Sequence, residues 1–229
     1  SRPEFLTCCI VEPRNHKCLQ GVLNNMANVY ANSDAGLTIF HSRRNRVKIL
    51  EITKGWENVQ LICLQSNNLP IPKYNELLTS YAFWRSFTST HVLIFQTDAL
   101  IFKKIPEIYY DYDYVGAPWI IPFKNREKSN MCGNGGFSLR KVSVMKRFTL
   151  SARKNGHAED LWFSKRPLYL PDSDMQKKFS CEEGYAESPI GCHQPFRMPE
   201  KDYVKFHDEI HEFLGIENDD DTNVISSKI

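Results

Sequence analysis

A short polar motif interrupts a long apolar stretch near the middle of the sequence. Residues 91–95 are almost wholly apolar, Gln96, Thr97 and Asp98 follow, and residues 99–102 are apolar again. A carboxylate between two apolar segments is unfavourable to bury without a partner. A divalent cation would compensate it, because hard cations bind carboxylate oxygens together with the phosphates of a substrate. The pattern predicts that Asp98 binds a metal and a diphosphate; a turn cap or a pairing with an arginine stays open as the alternative.

Two later segments also carry residue types suited to chemistry. Gly133, Gly135 and Gly136 form a glycine-rich stretch, which lets a backbone approach a ligand closely but is also typical of a bend or bulge in an edge strand. Glu159 and Asp160 precede an apolar run. A carboxylate can act as a general base when it reaches the proton of the attacking group, and acidic residues are also favoured in the first turn of a helix. Both interpretations of each segment stay open at this point.

The elements that must position these residues alternate between strands and helices. Such a rhythm predicts a mostly parallel sheet with right-handed crossovers, in which ligands bind beyond the carboxyl ends of the strands. Asp98 follows one of these ends. We expect strands at 6–11, 36–41, 59–64 and 91–95, and helices at 19–29 and 74–87.

The second half of the sequence is less regular. Residues 166–199 contain many prolines and little periodicity, so they are predicted to form a long ordered wrap or a mobile loop. Together these patterns indicate one domain over residues 1–215 and an acidic, flexible tail over 216–229. The other elements expected here are short strands at 112–117 and 136–139, and helices at 142–152, 159–165 and 203–213, the last ended by Gly215.

Composition excludes several classes of protein. Apolar residues make up 41% and charged residues 24% of the chain, and the formal net charge is +2, which gives no general attraction to nucleic acid. No apolar stretch reaches the roughly 18 residues of a membrane span, and no signal-peptide pattern is present. The seven cysteines form no C-x-x-C pair, so we expect reduced, buried thiols and a cytoplasmic compartment, with a Cys181–Cys192 disulfide as the alternative. Because the sequence begins with Ser1, an upstream targeting segment stays open.

Four segments in this order resemble the motifs of GT-A glycosyltransferases. Residues 92–101, VLIFQTDALI, resemble the strand and acidic motif usually written D-x-D, and residues 133–140, GNGGFSLR, the glycine-rich strand beside the donor sugar. Residues 158–160, AED, resemble the x-E-D motif of inverting members, and residues 191–196, GCHQPF, a late segment with a metal-binding histidine. The whole resembles a group with a Q-T-D motif, known partly from large DNA viruses. The resemblance implies an α/β fold with a Rossmann-type, mostly parallel sheet flanked by helices and a smaller mixed region on the acceptor side.

The resemblance also implies a reaction, in which a sugar passes from a nucleotide-diphosphate sugar to an acceptor hydroxyl with inversion. The donor is expected to be a UDP-sugar, the acceptor a glycan or protein, and the metal Mn²⁺, with Mg²⁺ as the alternative. Asp160 is the expected catalytic base, and Asp98 and His193 are the expected metal ligands. Gln96, where a first aspartate is usual, weakens the expected metal affinity. The other expected contacts are to the donor, from Gln96, Thr97, Asp98, Arg14, Gly135 and Gly136, and to the acceptor, from Glu159 and Trp119.

Two other functions stay open at this stage. A sugar-nucleotide nucleotidyltransferase would share the α/β rhythm and the metal, although residues 12–16 contain no glycine for the phosphate loop that such enzymes use. A catalytically degenerate GT-A domain that binds a glycan or a partner would explain the uncharged Gln96. Trp119 and Arg14 also have ordinary interpretations, as a core side chain and a solvated loop residue.

Overall fold

The computed structural model describes residues 5–119, 131–150, 157–198, 200–203 and 205. Within these residues the main sheet has six strands, namely β1 Leu6–Val11, β2 Gly36–His41, β3 Val59–Cys63, β4 His91–Phe95, β6 Tyr114–Gly116 and β7 Phe137–Lys141. Their order in the sheet is β3-β2-β1-β4-β7-β6. The first four strands run parallel, whereas β7 is antiparallel to β4 and β6 is antiparallel to β7. The predicted mostly parallel α/β sheet is confirmed.

The order of the strands places a switch point between β1 and β4. The chain moves outward from β1 to β2 and β3, and then returns to place β4 on the other side of β1. The crossovers before and after this switch leave on opposite sides, which opens a crevice at the carboxyl ends of the two strands.

Helices cover both faces of the sheet. In the described residues they are α1 Leu19–Tyr30, α2 Arg46–Ile52, α3 Ile71–Leu78, α4 Tyr81–Trp84, α5 Val142–Thr149, α6 Glu159–Ser164, α7 Ser173–Phe179 and α8 Glu200–Tyr203. Alternate residues of β1 belong to different cores, because Cys8 and Ile10 pack with α1, and Cys9 packs with the aromatic side chains of α4 and α6. This two-sided burial explains why the parallel strands are continuously apolar.

A smaller mixed sheet lies beyond the main one. In the described residues it has three strands in the order β5-β9-β8, namely β5 Ala99–Ile101, β9 Gly191–His193 and β8 Ser180–Cys181. Residues 166–198, predicted as an ordered wrap or a mobile loop, are ordered and contain α7, β8 and β9, elements that the prediction did not include. The strands are too short for their alternation to be visible in the sequence.

Several other boundaries differ from the predictions. The helix predicted over 74–87 is two helices, because the chain turns at Thr79 and the hydroxyl of Ser80 caps α4 by accepting the amide of Phe83 at 3.2 Å. The helix α2 was not predicted. The helix predicted over 203–213 and the tail over 216–229 lie almost wholly outside the described residues.

The cysteines are mostly buried in the structure. None of the seven cysteines forms a disulfide and only Cys63 is exposed, so the expectation of buried thiols holds for the other six. Cys181 and Cys192 are register partners of β8 and β9 without forming the alternative disulfide.

None of the helices in the described ranges is long and apolar enough for a bilayer crossing.

Candidate active site

A cleft of about 340 Å³ opens at the carboxyl ends of β1 and β4. Its walls come from the loops after these strands, the segment before β7, the start of α6 and the end of β9. Segments that are far apart in the sequence therefore meet at the switch point, where an open α/β sheet binds its ligand. The lining includes nearly every residue predicted to be functional, namely Arg14, Gln96, Thr97, Asp98, Gly135, Gly136, Glu159, Asp160 and His193.

The acidic motif forms the tight turn between β4 and β5. The amide of Ala99 donates to the carbonyl of Gln96 at 3.2 Å, and Ala99 pairs with His193 across β5 and β9. This register brings His193 to the motif from the far end of the chain. Its Nε2 lies 3.2 Å from Oε1 of Gln96 and 3.4 Å from Oδ1 of Asp98.

Asp98 and His193 form a buried, charge-coupled pair, with exposed fractions of 5% and 2%. Burial alone lowers the pKa of His193, but the neighbouring carboxylates of Asp98 and Glu182 outweigh it and raise this pKa to about 10. Burial alone raises the pKa of Asp98, and the opposing charge and hydrogen bonds of His193 bring it below its usual value. The imidazole carries a proton at neutral pH, so a metal must displace that proton to bind there.

The donor atoms around Asp98 suit a divalent cation. Oδ2 of Asp98 is buried and has no hydrogen-bond partner among the described residues, which is unfavourable for a carboxylate unless a ligand satisfies it. The oxygen of Gln96 and the Nε2 of His193 lie beside it. No cluster of three or more His, Cys, Asp or Glu side chains arranged for a metal occurs in the described part of the chain. The residues present therefore fit a cation that completes its coordination with oxygens of the substrate.

The glycines of the loop before β7 make room for protein side chains. A Cβ on Gly136 would collide with the imidazole of His193, and a Cβ on Gly135 would collide with the carboxylate of Glu159. We predicted that these glycines let the backbone approach a sugar, and that stays a prediction. The structure adds a second reason for them, which is their contact with protein side chains. Small residues are required here because two buried functional side chains pack directly against the loop.

Glu159 binds Arg140 through a buried bidentate ion pair. Nη1 and Nη2 of Arg140 donate to the two carboxylate oxygens at 2.6 and 2.7 Å. Since both oxygens are taken by Arg140, the carboxylate has a structural partner that the sequence did not predict. Its predicted contact with the acceptor stays a prediction.

Asp160 is held at the first turn of α6 beside the glycine loop. Its Oδ1 accepts the amide of Leu161 at 2.7 Å and its Oδ2 accepts the amide of Gly135 at 3.2 Å. Burial and the neighbouring charge of Glu159 raise the pKa of Asp160 to about 6, against the hydrogen bonds and Arg140, which lower it. A carboxylate with this pKa is a stronger base than an ordinary aspartate and is still mostly ionised at neutral pH.

Arg14 and Trp119 differ in their relation to the cleft. Arg14 lines it, but its Nε and Nη2 donate to the buried carboxylate of Glu12 at 2.9 and 2.8 Å. Trp119 is half-buried and is not among the described residues that line the cleft. The acceptor role predicted for it stays a prediction.

Sequence reasoning missed several lining residues. His16, Tyr74, Asn75 and Arg197 all line the cleft, and Asn75 Oδ1 accepts the amide of Glu159 at 3.2 Å. None of the four belongs to a recognised motif, and nothing in the sequence distinguishes these positions from ordinary surface ones.

Glu182 is a further missed residue, buried just behind the cleft. Its Oε1 accepts Nη1 of Arg197 at 3.0 Å and Nδ2 of Asn134 at 3.3 Å. Its Oε2 lies 3.4 Å from Nδ1 of His193, at ion-pair distance without the geometry of a hydrogen bond. Glu182 thus links the glycine loop, β9 and the turn that follows it.

Residues 58–193, more than half of the chain, match the model of a family described as a protein of unknown function, DUF5672. The chain belongs to the DUF5672 family. No curated protein matches its sequence significantly.

Several solved structures of similar fold are glycosyltransferases by name. The galactosyltransferase LgtC, in complex with donor and acceptor sugar analogues, has 9% identity and a TM-score of 0.61, over 95% of this chain and 99% of LgtC. The bifunctional glycosyltransferase WbbM has 12% identity and a TM-score of 0.58, over 98% of this chain and 52% of WbbM. The glycosyltransferase GlyE of Streptococcus pneumoniae TIGR4 has 10% identity and a TM-score of 0.56, over 98% of this chain and 64% of GlyE. The DUF5672 chain has the GT-A glycosyltransferase fold.

Proposed function

We propose that this DUF5672 protein is a glycosyltransferase that uses a nucleotide-diphosphate sugar. The observation that carries the proposal is the convergence of the acidic motif, His193, the glycine loop and Asp160 on one cleft at the switch point of the sheet. The fold adds support, because LgtC matches over nearly the full length of both chains and was solved with donor and acceptor sugar analogues.

The charges of the cleft favour a cation-assisted donor. Among the described residues that line it, four are carboxylates, Glu12, Asp98, Glu159 and Asp160, and three are cationic, Arg14, Arg197 and the protonated His193, which is paired with Asp98. Both arginines already donate to glutamates. A diphosphate entering such a site is repelled unless a further cation accompanies it.

Asp98 and His193 would hold this cation, with the side-chain oxygen of Gln96 as a neutral third donor. Mn²⁺ suits a mixed set of oxygen and imidazole ligands, and Mg²⁺ is the alternative. When bound, the metal supplies Lewis-acid stabilisation of the negative charge that develops on the leaving diphosphate. Since the carboxyl group of Asp98 is buried on a tight turn, it is already oriented for this task.

Asp160 is the proposed general base. It would accept the proton of an acceptor hydroxyl as that oxygen attacks the anomeric carbon, while the bond from that carbon to the diphosphate breaks. One displacement of this kind inverts the anomeric configuration. The two backbone amides that bind Asp160 keep its carboxylate in place for the reaction, so little ordering remains for the transition state.

The nucleobase and the sugar of the donor are proposed from the family resemblance, which favours a UDP-sugar. The acceptor is proposed to be a hydroxyl of a glycan or a protein. The direct test is transfer from a panel of radiolabelled sugar nucleotides to a panel of glycan acceptors, with Mn²⁺, Mg²⁺ or EDTA. We expect the released nucleotide to be a diphosphate. Release of pyrophosphate would instead show nucleotidyl transfer.

The same assay with Asp160→Asn decides the role of the proposed base. This isosteric change should lower turnover by about 10²-fold or more and leave donor affinity nearly intact. A parent protein that binds sugar nucleotides in calorimetry but neither transfers nor hydrolyses any of them would contradict the proposed activity.

A further inference from the structure

The ion pair between Arg140 and Glu159 lies directly beneath the cleft, and the reaction above does not use it. Arg140 is completely buried, and Glu159 is 4% exposed. The guanidinium carbon lies 4.5 Å from the ring centre of Tyr114 and 5.7 Å from that of Phe163. A charge pair enclosed by aromatic rings loses its hydration, and apolar side chains of similar volume often serve stability as well. Stability alone therefore gives little reason for this pair.

The contacts of the pair lead to Asp160 from both ends. Nη2 of Arg140 donates to the carbonyl of Gly135 at 3.2 Å, and the amide of the same Gly135 donates to Oδ2 of Asp160 at 3.2 Å. Glu159 precedes Asp160 in α6, and its own amide donates to Asn75 of α3. The pair thus fixes the glycine loop and the start of α6 in relation to each other.

We propose that Arg140 and Glu159 are positioning residues for Asp160, which hold its carboxylate at the cleft and tune its basicity. This inference rests on the proposed function, because it assumes that Asp160 is the base. The proposal gives a function to Arg140, the last residue of the GNGGFSLR segment, to which the reaction itself assigns none.

Among the described residues, the charged and titratable groups that interact with Asp160 come from α6, β7, β6 and the loop before β7. Glu159 on the same helix raises its pKa, and Arg140 of β7 lowers it. Tyr114 of β6 and Cys132 of the preceding loop also interact with it, but burial raises the pKa of both, so they stay uncharged in the working range. The charge around Asp160 is therefore set by the Arg140–Glu159 pair.

The first experiment measures the titration of Asp160 itself. Protein with ¹³C-labelled aspartate carboxyls is titrated by NMR, and the Asp160 signal is identified by its loss in Asp160→Asn. In Glu159→Gln a negative neighbour is removed and the charge of Arg140 is left, so the midpoint should fall by about one pH unit. The low-pH limb of kcat/KM should move in the same direction.

Glu12→Gln is the matched control. Glu12 is also a buried glutamate that binds an arginine through two hydrogen bonds, and it lines the same cleft. It has no described contact with the loop that holds Asp160, so its variant should leave the titration of Asp160 in place. An unchanged midpoint in Glu159→Gln, or an equal shift in Glu12→Gln, would overturn the proposal.

A second variant covers the case in which Glu159→Gln does not fold. Arg140→Met combined with Glu159→Gln leaves no unpaired charge, and it should lower kcat at least about tenfold through loss of alignment, with the donor KM within about threefold. A folded double variant with the kcat of the parent would refute positioning. If no donor is ever transferred, the proposed activity fails while the NMR titration still decides whether the pair tunes Asp160.

Discussion

The two sides of the cleft are built on opposite principles. On the side of the acidic motif, Asp98 Oδ2 and His193 Nδ1 are buried without a hydrogen-bond partner among the described residues. On the side of the glycine loop, the Arg140–Glu159 pair is bidentate, and both oxygens of Asp160 accept backbone amides.

The difference indicates that the Asp98 side binds the ligand and that the Asp160 side positions the proposed base. Unsatisfied buried polar atoms are unfavourable in the free protein, so a side that retains them is one where a ligand is expected. A fully satisfied network is rigid and keeps its geometry whether or not a ligand is present. We therefore expect substitutions on the Asp98 side to act mainly on ligand and metal binding, and those on the Asp160 side to act mainly on alignment and proton transfer.

Replacement of Asp98 by Asn should have the largest effect. The variant keeps the shape of the side chain but loses the charge that would bind a cation, so transfer should fall by about 10³-fold. The fold should be kept because the shape of the side chain is preserved, but the midpoint of thermal unfolding should fall, since the buried imidazole of His193 loses its charged partner. Calorimetry with UDP and Mn²⁺ measures the binding. Unchanged affinity in Asp98→Asn would show that Oδ2 of Asp98 does not contribute to binding of the donor.

The pH dependence of kcat/KM should test the Asp160 side of the cleft. Asp160 must be ionised to accept a proton, and burial together with Glu159 raises its pKa to about 6. As the pH falls below this value the base becomes protonated, so kcat/KM should fall about tenfold for each further pH unit. Initial rates between pH 4.5 and 8 at low acceptor concentration, on the order of a tenth of KM, check this sign. A rate that is flat down to pH 5 would remove Asp160 from the role of base.

Sequence alone predicted the parallel half of the sheet well. The strands at 6–11, 36–41 and 91–95 match β1, β2 and β4 residue for residue, because strands covered on both faces are continuous apolar runs bounded by polar residues. In contrast, α2 buries only Ile49, so it has no apolar face to detect. The strands β8 and β9 have two and three residues, which is too short for any period.

The candidate site was predictable in its residue types but not in its contacts. Asp98, Asp160 and His193 belong to recognisable motifs, and all three line one cleft. The bond between Arg140 and Glu159 depends on how α6 packs against β7, which local sequence patterns do not encode. The same holds for Glu182, which stands between elements that meet only in the folded chain.

Replacement of Gly136 by Ala should disturb both sides at once. The new Cβ would collide with the imidazole of His193, and overpacking of this kind destabilises a protein by about 1–3 kcal/mol. Urea unfolding measures the loss, and metal dependence of transfer shows whether His193 has moved. Gly55→Ala is the matched control, because a Cβ there meets no described atom within 4 Å. Equal stability losses in the two variants would mean that the packing of His193 against the loop is not responsible.

The smallest effect is expected at Arg14, which lies in the loop after β1. Its guanidinium is already bound to Glu12, and its side chain is 46% exposed, so a diphosphate gains only part of its charge. Arg14→Gln should raise the donor KM by about two- to fivefold, in line with a partly exposed, screened ion pair, and should leave kcat unchanged. In Glu12→Gln the arginine loses its partner and is free for phosphate, so the donor KM should fall. These opposite changes, measured with one UDP-sugar at fixed Mn²⁺, distinguish a phosphate contact from a purely structural Arg14. If both variants change KM in the same direction, the Glu12–Arg14 pair supports the loop after β1, and recognition of the diphosphate depends on the Asp98 side alone.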